Sequence, residues 1–390
     1  YSYDFGTSMP VPHVAGIAAL LMEYRPDLTN EDIRRILCQG AYDMGSPGKD
    51  LYTGYGRVDA QRSLEIASYY YAQHTPYERL AQGSLSPKTR PCVARCPIKS
   101  TKTRTWVFWE EKVNGYYEIF YTCYDDMGLR MISKTQFTTA DEYHSFAPYA
   151  AVDANGYVHV VWADKRLQDP YPQIYYAVLT PSGDRYTDDI LIGTKNTADG
   201  EYTPQLVIDE QNDALCVIYW QWYNGGFQIW FMKVAMFTGA TIVDDKPITS
   251  FANAYQRYPR VTTNSNNDPD YNPTEICIVF ESNYPGNYEI YAMRIDLAGT
   301  VLTSPVQISS TSDASYNPDV AYLPYSSKYY VVWQEHTWST DGEIYYAVLI
   351  QDTLDIHIAQ QRLSNEGNYH KWPFIIAGKE ILYVFWTYYT

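Results

Sequence analysis

The stretch GTSMPVPHVAG, residues 6–16, combines residue types and spacing that suit covalent chemistry. A serine hydroxyl is a weak nucleophile until a base takes its proton and donors stabilise the oxyanion formed at the attacked carbonyl. Ser8 stands just ahead of an apolar helical run, so its backbone N–H would lack an intrahelical partner, and the helix dipole would favour negative charge beside it. Gly6 allows a close approach to that turn. Pro10 and Pro12 fall in or just past the first helical turn, where a missing N–H costs little, and Pro12 is expected to bend the helix. The plainer role for Ser8 is that of a helix N-cap. His13, five residues on, lies about 140° round the helix from Ser8, which points to a structural residue rather than a base. Asp4 is too close in sequence to orient a histidine against Ser8.

The elements that must position this serine read as three helices. Val14, Ile17, Ala18 and Leu21 follow helical spacing, and the residues between them leave no polar face, so a helix over 7–24 is predicted to be buried on all sides. Thr29-Asn30-Glu31-Asp32 caps a second, amphipathic helix through Ile33, Ile36 and Leu37. GYGRVDA at 54–60 leads into a third through Leu64 and Ile66. From about residue 70 the helical period is lost, and residues 69–88 read as a linker.

Beyond it the chain repeats. Prolines at 91, 148, 204, 259, 318 and 373 recur every 55 to 59 residues, each read as opening a strand. An apolar strand ending in an aromatic follows: WVFW, HVVW, CVIY, CIVF, YVVW and YVFW. About ten residues later comes a third strand, EIFY, QIYY, QIWF, EIYA or EIYY, and then a fourth. Three landmarks at one period signal a repeat architecture. Four strands per unit match a β-propeller blade, with an Ig-like array as the alternative. Five units are whole over 89–390, and a sixth stops after its second strand. The propeller is therefore expected to have at least six blades.

Lys plus Arg number 29 and Asp plus Glu 45, a net charge of −16, which disfavours nucleic acid and anionic membranes as partners. The run Val14 to Met22 is too short to cross a bilayer. The 41 Tyr, 10 Trp and 12 Phe suit pleated, half-buried strands. Cys38, Cys92, Cys96, Cys123, Cys216 and Cys277 form no C-x-x-C pair, so a zinc site is disfavoured; buried thiols are the default, with room for one disulfide. No histidine pair has ligand spacing. Asp125-Asp126 and Asp244-Asp245 are compatible with structural calcium, but read more simply as solvated loop carboxylates.

GTSMPVPHVAG resembles the nucleophile motif of the subtilisin-like serine proteases, usually G-T-S-M-A-(A/T/S)-P-H-V-A-G. Gly6, Thr7, Ser8, Met9, Pro12, His13, Val14, Ala15 and Gly16 match; Pro10 and Val11 depart from it. The resemblance runs on through AALLMEYRPDLTNEDIRRIL and GYGRVDA, over about the first 68 residues. It implies Ser8 as nucleophile with its own N–H as an oxyanion donor, supported by Gly6, Thr7, Pro12 and His13. It also implies a secreted enzyme, a protein or peptide substrate, and no cofactor for catalysis. In that family the triad runs Asp, His, Ser, and the residues before Ser8 hold no such pair. The expectation is a mixed fold: residues 1–68 as the helical C-terminal remnant of an α/β subtilisin-like domain, inert by itself and loosely packed, then an all-β propeller that binds a glycan or protein or acts as a spacer. A sialidase-like propeller is the alternative, although the S-x-D-x-G-x-T-W turn is absent and VDANGYVHVVW only approximates it.

Overall fold

The computed structural model describes residues 10–25, 28, 30–44, 53–73, 92–95, 104–125, 130–167, 171–193, 201–265, 273–284, 286–336, 342–364, 369–377 and 381–389. The chain divides into two compact units. One is built on residues 1–82 with 101–103 and 124–129, the other on 83–100, 104–123 and 130–390.

The first unit holds α1 (Pro10–Tyr24), α2 (Asn30–Gly40) and α3 (Ala60–Gln73). Leu21, Ile33, Ile36, Ile66 and Ala67 form its core, with Ile17, Ala18, Leu28, Leu37 and Leu64 half-buried around them. Asp59 caps α3, its Oδ1 accepting the Arg62 N–H at 3.0 Å. α2 and α3 meet closely, since a Cβ on Gly40 would lie 2.4 Å from Ser63 Oγ. Tyr42 and Arg57 exchange two backbone hydrogen bonds of 2.7 and 2.9 Å. Gly56, with φ +100°, sits where a Cβ would be 2.1 Å from the Tyr42 carbonyl oxygen, so only glycine fits that turn.

α1 departs from the expectation of burial on all sides: Val14, Leu20, Met22 and Tyr24 are exposed. Two partner helices can cover only one stripe of a third, and here that stripe runs through Ile17, Ala18 and Leu21. α3 also continues five residues past 68, to Gln73, because Pro76 is the first helix breaker in its path.

The second unit is a succession of antiparallel sheets. Blade 1 has β1 (Cys92–Arg95), β2 (Arg104–Val113), β3 (Tyr116–Asp125) and β4 (Arg130–Gln136). Blade 2 has β5 (Ser145–Val152), β6 (Val158–Asp164), β7 (Gln173–Leu179) and β8 (Ile190–Leu191). Blade 3 has β9 (Glu201–Asp209), β10 (Ala214–Tyr223), β11 (Gly226–Ala235) and β12 (Thr241–Pro247). Blade 4 has β13 (Gln256–Thr263), β14 (Glu275–Ser282), β15 (Glu289–Asp296) and β16 (Val301–Gln307). Blade 5 has β17 (Ala314–Leu323), β18 (Lys328–His336), β19 (Gly342–Ile350) and β20 (Ile356–Arg362), and blade 6 has β21 (Tyr369–Ala377) and β22 (Leu382–Tyr389).

Within every sheet the strands neighbour one another in chain order, with no crossover, so these are meanders rather than Greek keys. First strands of successive blades lie together, β1 with β5, β5 with β9, β9 with β13, β13 with β17 and β17 with β21. Apolar clusters fill each inter-blade layer. Trp162 packs into the blade 1 side, Tyr219 meets blade 2, and Trp333 meets blade 4.

Pro91 lies outside the described residues, and the five described prolines of the repeat do not open strands. Each described one lies inside the first strand of its blade, at a bulge. The residue before it takes a left-handed conformation: Ala147, Thr203, Tyr258, Asn317 and Trp372 have φ between 44° and 55°. In each case the register skips so that the X–Pro pair opposes one residue of the second strand, and that residue is the repeated aromatic: Trp162, Tyr219, Phe280, Trp333 or Trp386. Proline lacks the N–H that a regular ladder would use, so a mid-strand proline is tolerated where pairing is already broken. The two landmarks recur together because they face each other.

Candidate active site

Gly6, Thr7 and Ser8 lie outside the described residues. The described part of the motif begins at Pro10, the first residue of α1, and Pro12 and His13 are exposed on its opening turn. The far end of α1 is fixed by Leu21 in the core and by Arg25, whose Nη1 donates to the Ala67 carbonyl at 3.0 Å. The helix that follows Ser8 is thus anchored to α3 at its carboxyl end.

In the repeats, acidic and amide side chains fall into three recurring devices. The first follows the second-strand aromatic. Trp109, Trp162 and Trp333 donate their indole N–H to the carboxylate two residues on, Glu111 at 3.3 Å, Asp164 at 2.9 Å and Glu335 at 3.4 Å. The second uses a Glu or Gln within the first three residues of the third strand. Glu118, Gln228, Glu289 and Glu343 accept from Thr138, Thr249, Ser309 and Ser364, each two residues past the end of the fourth strand. The same hydroxyls accept the next backbone N–H, from Ile119, Ile229, Ile290 and Ile344. Blade 2 has Gly193 at the hydroxyl position, and there Gln173 Oε1 is buried with no partner.

A third device joins blades. Glu110 Oε1 accepts the N–H of Ala147, and Glu281 Oε1 that of Asn317, each at 2.7 Å; Gln334 Oε1 accepts from Trp372 at 3.4 Å. The donors are the left-handed residues before the bulge prolines of the following blade. Burial pushes the carboxyls of Glu110, Glu118 and Glu335 up to about 7, the hydrogen bonds they accept opposing that shift only in part. A glycosidase would need two such groups facing each other across a pocket; each of these is instead engaged in holding a blade or a pair of blades.

His159 belongs to a buried chain of polar groups. Its Nδ1 lies 2.7 Å from the Tyr176 hydroxyl and its Nε2 3.5 Å from Asp153 Oδ2, while Tyr176 accepts the Phe237 N–H at 3.0 Å. His144 Nδ1 accepts the Tyr117 N–H at 3.1 Å, and burial, with Lys165 and Lys112 nearby, lowers its pKa. Cys92, Cys216 and Cys277 are buried free thiols, and Cys96 lies outside the described residues. Burial raises Cys92 to about 11 and Cys216 to about 12, which leaves them unreactive. Among the described residues no group of three or more His, Cys, Asp or Glu is placed to hold a metal ion. Asp245 instead lies 3.3 Å from the Tyr219 hydroxyl, and Asp126 lies outside the described residues. Among those residues, too, no helix is long and apolar enough to cross a membrane.

Residues 1–56 match the family model described as "Subtilase family". Over 89 residues the chain is 34% identical to the "Extracellular serine protease" of Serratia marcescens, covering 23% of this chain and 8% of that protein. Over 65 residues it is 40% identical to "Fervidolysin" of Fervidobacterium pennivorans, covering 17% of this chain and 9% of that protein. The chain therefore spans less than a tenth of the length of either relative. Among solved structures, a protein of unknown function from Dyadobacter fermentans DSM 18053 is similar at a TM-score of 0.51 and 11% identity, covering 75% of this chain and 88% of that one. At that identity the likeness bears on the fold alone. The chain carries at its amino end a segment of the subtilase family, the closing part of its catalytic domain, followed by propeller-type blades.

Proposed function

We propose that the chain is part of a secreted serine endopeptidase of the subtilisin type, and that Ser8 is its nucleophile. The family match over residues 1–56, which includes GTSMPVPHVAG, carries this reading. In the reaction Ser8 Oγ bonds to the scissile carbonyl carbon while a histidine takes the hydroxyl proton. An aspartate holds that histidine, and the Ser8 N–H donates to the oxyanion. The tetrahedral adduct collapses, the C–N bond breaks, and the amine leaves with the proton from histidine. Water then attacks the acyl-enzyme, with the histidine again as base, and releases the acid. The activity belongs to the protein in which an Asp and a His stand ahead of Ser8; the 390 residues alone are expected to be inert.

A fluorophosphonate probe tests this. The protein bearing the upstream Asp and His should be labelled on Ser8, and Ser8→Ala should abolish both labelling and peptide cleavage. Proteolysis that survives Ser8→Ala would overturn the assignment.

The blades, on this reading, hold a target or space the enzyme from a surface. Trp222 and Tyr223 are exposed at the turn between β10 and β11, and the Trp222 ring meets Phe227 edge-to-face at 5.1 Å and Tyr255 at a tilt at 6.0 Å. Exposed rings at a loop end suit a sugar face or an apolar side chain. A glycan array should distinguish these: silence across sugars would favour a protein ligand.

A further inference from the structure

Blade 3 departs from its neighbours at the end where its second strand turns into its third. Three repeat positions at that end carry acids elsewhere. Blade 1 has Glu110, Glu111 and Glu118, blade 2 has Asp164, blade 4 has Glu281 and Glu289, and blade 5 has Glu335 and Glu343. In blade 3 the same positions hold Trp220, Gln221 and Gln228, none of them charged. The next residue along the second strand is Lys112, Lys165, Asn283 or His336 in those four blades, and Trp222 in blade 3. Blade packing is thus served by a polar residue at that position, and a tryptophan there, 37% exposed, is not explained by the fold.

The rings form a continuous row. Trp220 stacks on Tyr202 at 4.5 Å, Phe227 meets Trp220 edge-to-face at 4.5 Å, and Trp222 ends the row against Phe227 and Tyr255. Trp220 and Trp222 share one side of β10, with Tyr202 and Phe227 as their cross-strand partners. Amide side chains hold the row in place. Asn224 and Gly225, at φ 52° and 79°, make the two-residue hairpin turn beside Trp222. Asn253 Oδ1 packs over that turn, 2.7 Å from where a Cβ on Gly225 would stand, and Asn283 Oδ1 accepts the Tyr255 N–H at 2.7 Å.

We infer that this rim of blade 3 binds a neutral pyranose glycan, with the C–H face of a sugar ring on Trp222 and the hydroxyls against the amides of Asn253 and Asn283. The inference rests on the binding role proposed above for the blades and names the ligand class. A pyranose has an apolar C–H face, which an indole ring covers, and a rim of hydroxyls that donate and accept as an amide does. The net charge of −16 works against an anionic glycan, and the loss of acids at all three repeat positions removes the counter-charge that a basic peptide would seek. Size also decides against a protein. The platform is Trp222 with the half-buried Tyr255 beside it, far short of the about 800 Å² that each partner covers in a standard protein interface.

The test is isothermal titration calorimetry of the 390-residue chain with cellohexaose, xylohexaose, laminarihexaose, mannohexaose and chitohexaose, and with hexagalacturonate as the anionic comparison. Expected is saturable binding of at least one neutral hexaose at one site per chain, and none of hexagalacturonate. Trp222→Lys, which introduces the residue of blades 1 and 2, should weaken binding about tenfold or more, whereas Trp222→Tyr keeps a ring there and should retain most of the affinity. Because the position is exposed, the thermal midpoint of Trp222→Lys should match that of the unaltered chain. Silence from all the neutral sugars, binding indifferent to Trp222→Lys, or equal binding of hexagalacturonate would each overturn the inference. None of these outcomes touches the labelling of Ser8, so failure here and failure of the protease assignment are told apart.

Discussion

Glu110 shows how one residue can carry pH dependence through the whole repeat region. Its carboxyl is held at about 7 in the folded state by burial, against a reference of 4.5. A folded pKa above the unfolded one means that the folded state binds the proton more tightly. The stabilisation is complete below about pH 4.5 and is lost as pH rises through about 7. Glu118 and Glu335 act in the same direction. We expect the thermal midpoint of the blades to fall between pH 5 and pH 8, and Glu110→Gln to flatten part of that slope. A midpoint that rises over this range would contradict the assignment. Thr138→Ala should destabilise by about 1–3 kcal/mol in denaturant titration, because it removes the hydroxyl that joins Glu118 Oε2 to the Ile119 N–H and leaves both buried. The third-strand Glu or Gln was visible in the sequence as a repeated letter. Its partner was not, because Ser and Thr about twenty residues later carry no periodic signal until the fourth strand is folded back.

At the scale of elements, the sequence showed the number and order of strands through the aromatic-ended second strand, whose spacing survives every loop length. The prolines misled because proline ordinarily marks a strand edge, whereas here a left-handed residue ahead of it makes a bulge in mid-strand. Ala147 is in that conformation, with φ 53°. Ala147→Gly should therefore be neutral or stabilising by up to about 1 kcal/mol in urea unfolding, where most alanine-to-glycine changes in strands weaken. A clear loss of stability there would argue against the bulge. In the helical unit, Gly56→Ala must push against the Tyr42 carbonyl as well as adopt φ +100°, and it should cost well over about 1 kcal/mol. α1 was misread for a related reason. Its composition describes a helix surrounded by apolar neighbours, and composition says nothing about how many of those neighbours are present.

At the scale of the whole molecule, the two units should differ in how firmly they hold their amides. The blades bury strands such as β6, β7 and β14 completely, whereas α1 buries Leu21 and exposes Val14, Leu20 and Met22. Hydrogen exchange should be fastest in α1 and slowest in β6, β7, β10 and β14. Protection of α1 equal to that of β6 would refute this ordering. The serine motif was legible as chemistry because its residue types are unusual together; what surrounds the hydroxyl was not, since a triad is assembled from distant parts of a chain.

The bond that ties one blade to the next has a further consequence. In the links made by Glu110 and Glu281, the acceptor is a side chain belonging to the earlier blade, and the donor is a peptide N–H of the later one. Any unit folded with the same kink offers that donor whatever its side chains are. A duplicated stretch of gene spliced in after such an acceptor would find its attachment point ready-made, so an array of this kind can lengthen by copying without co-ordinated change on both sides of the new joint.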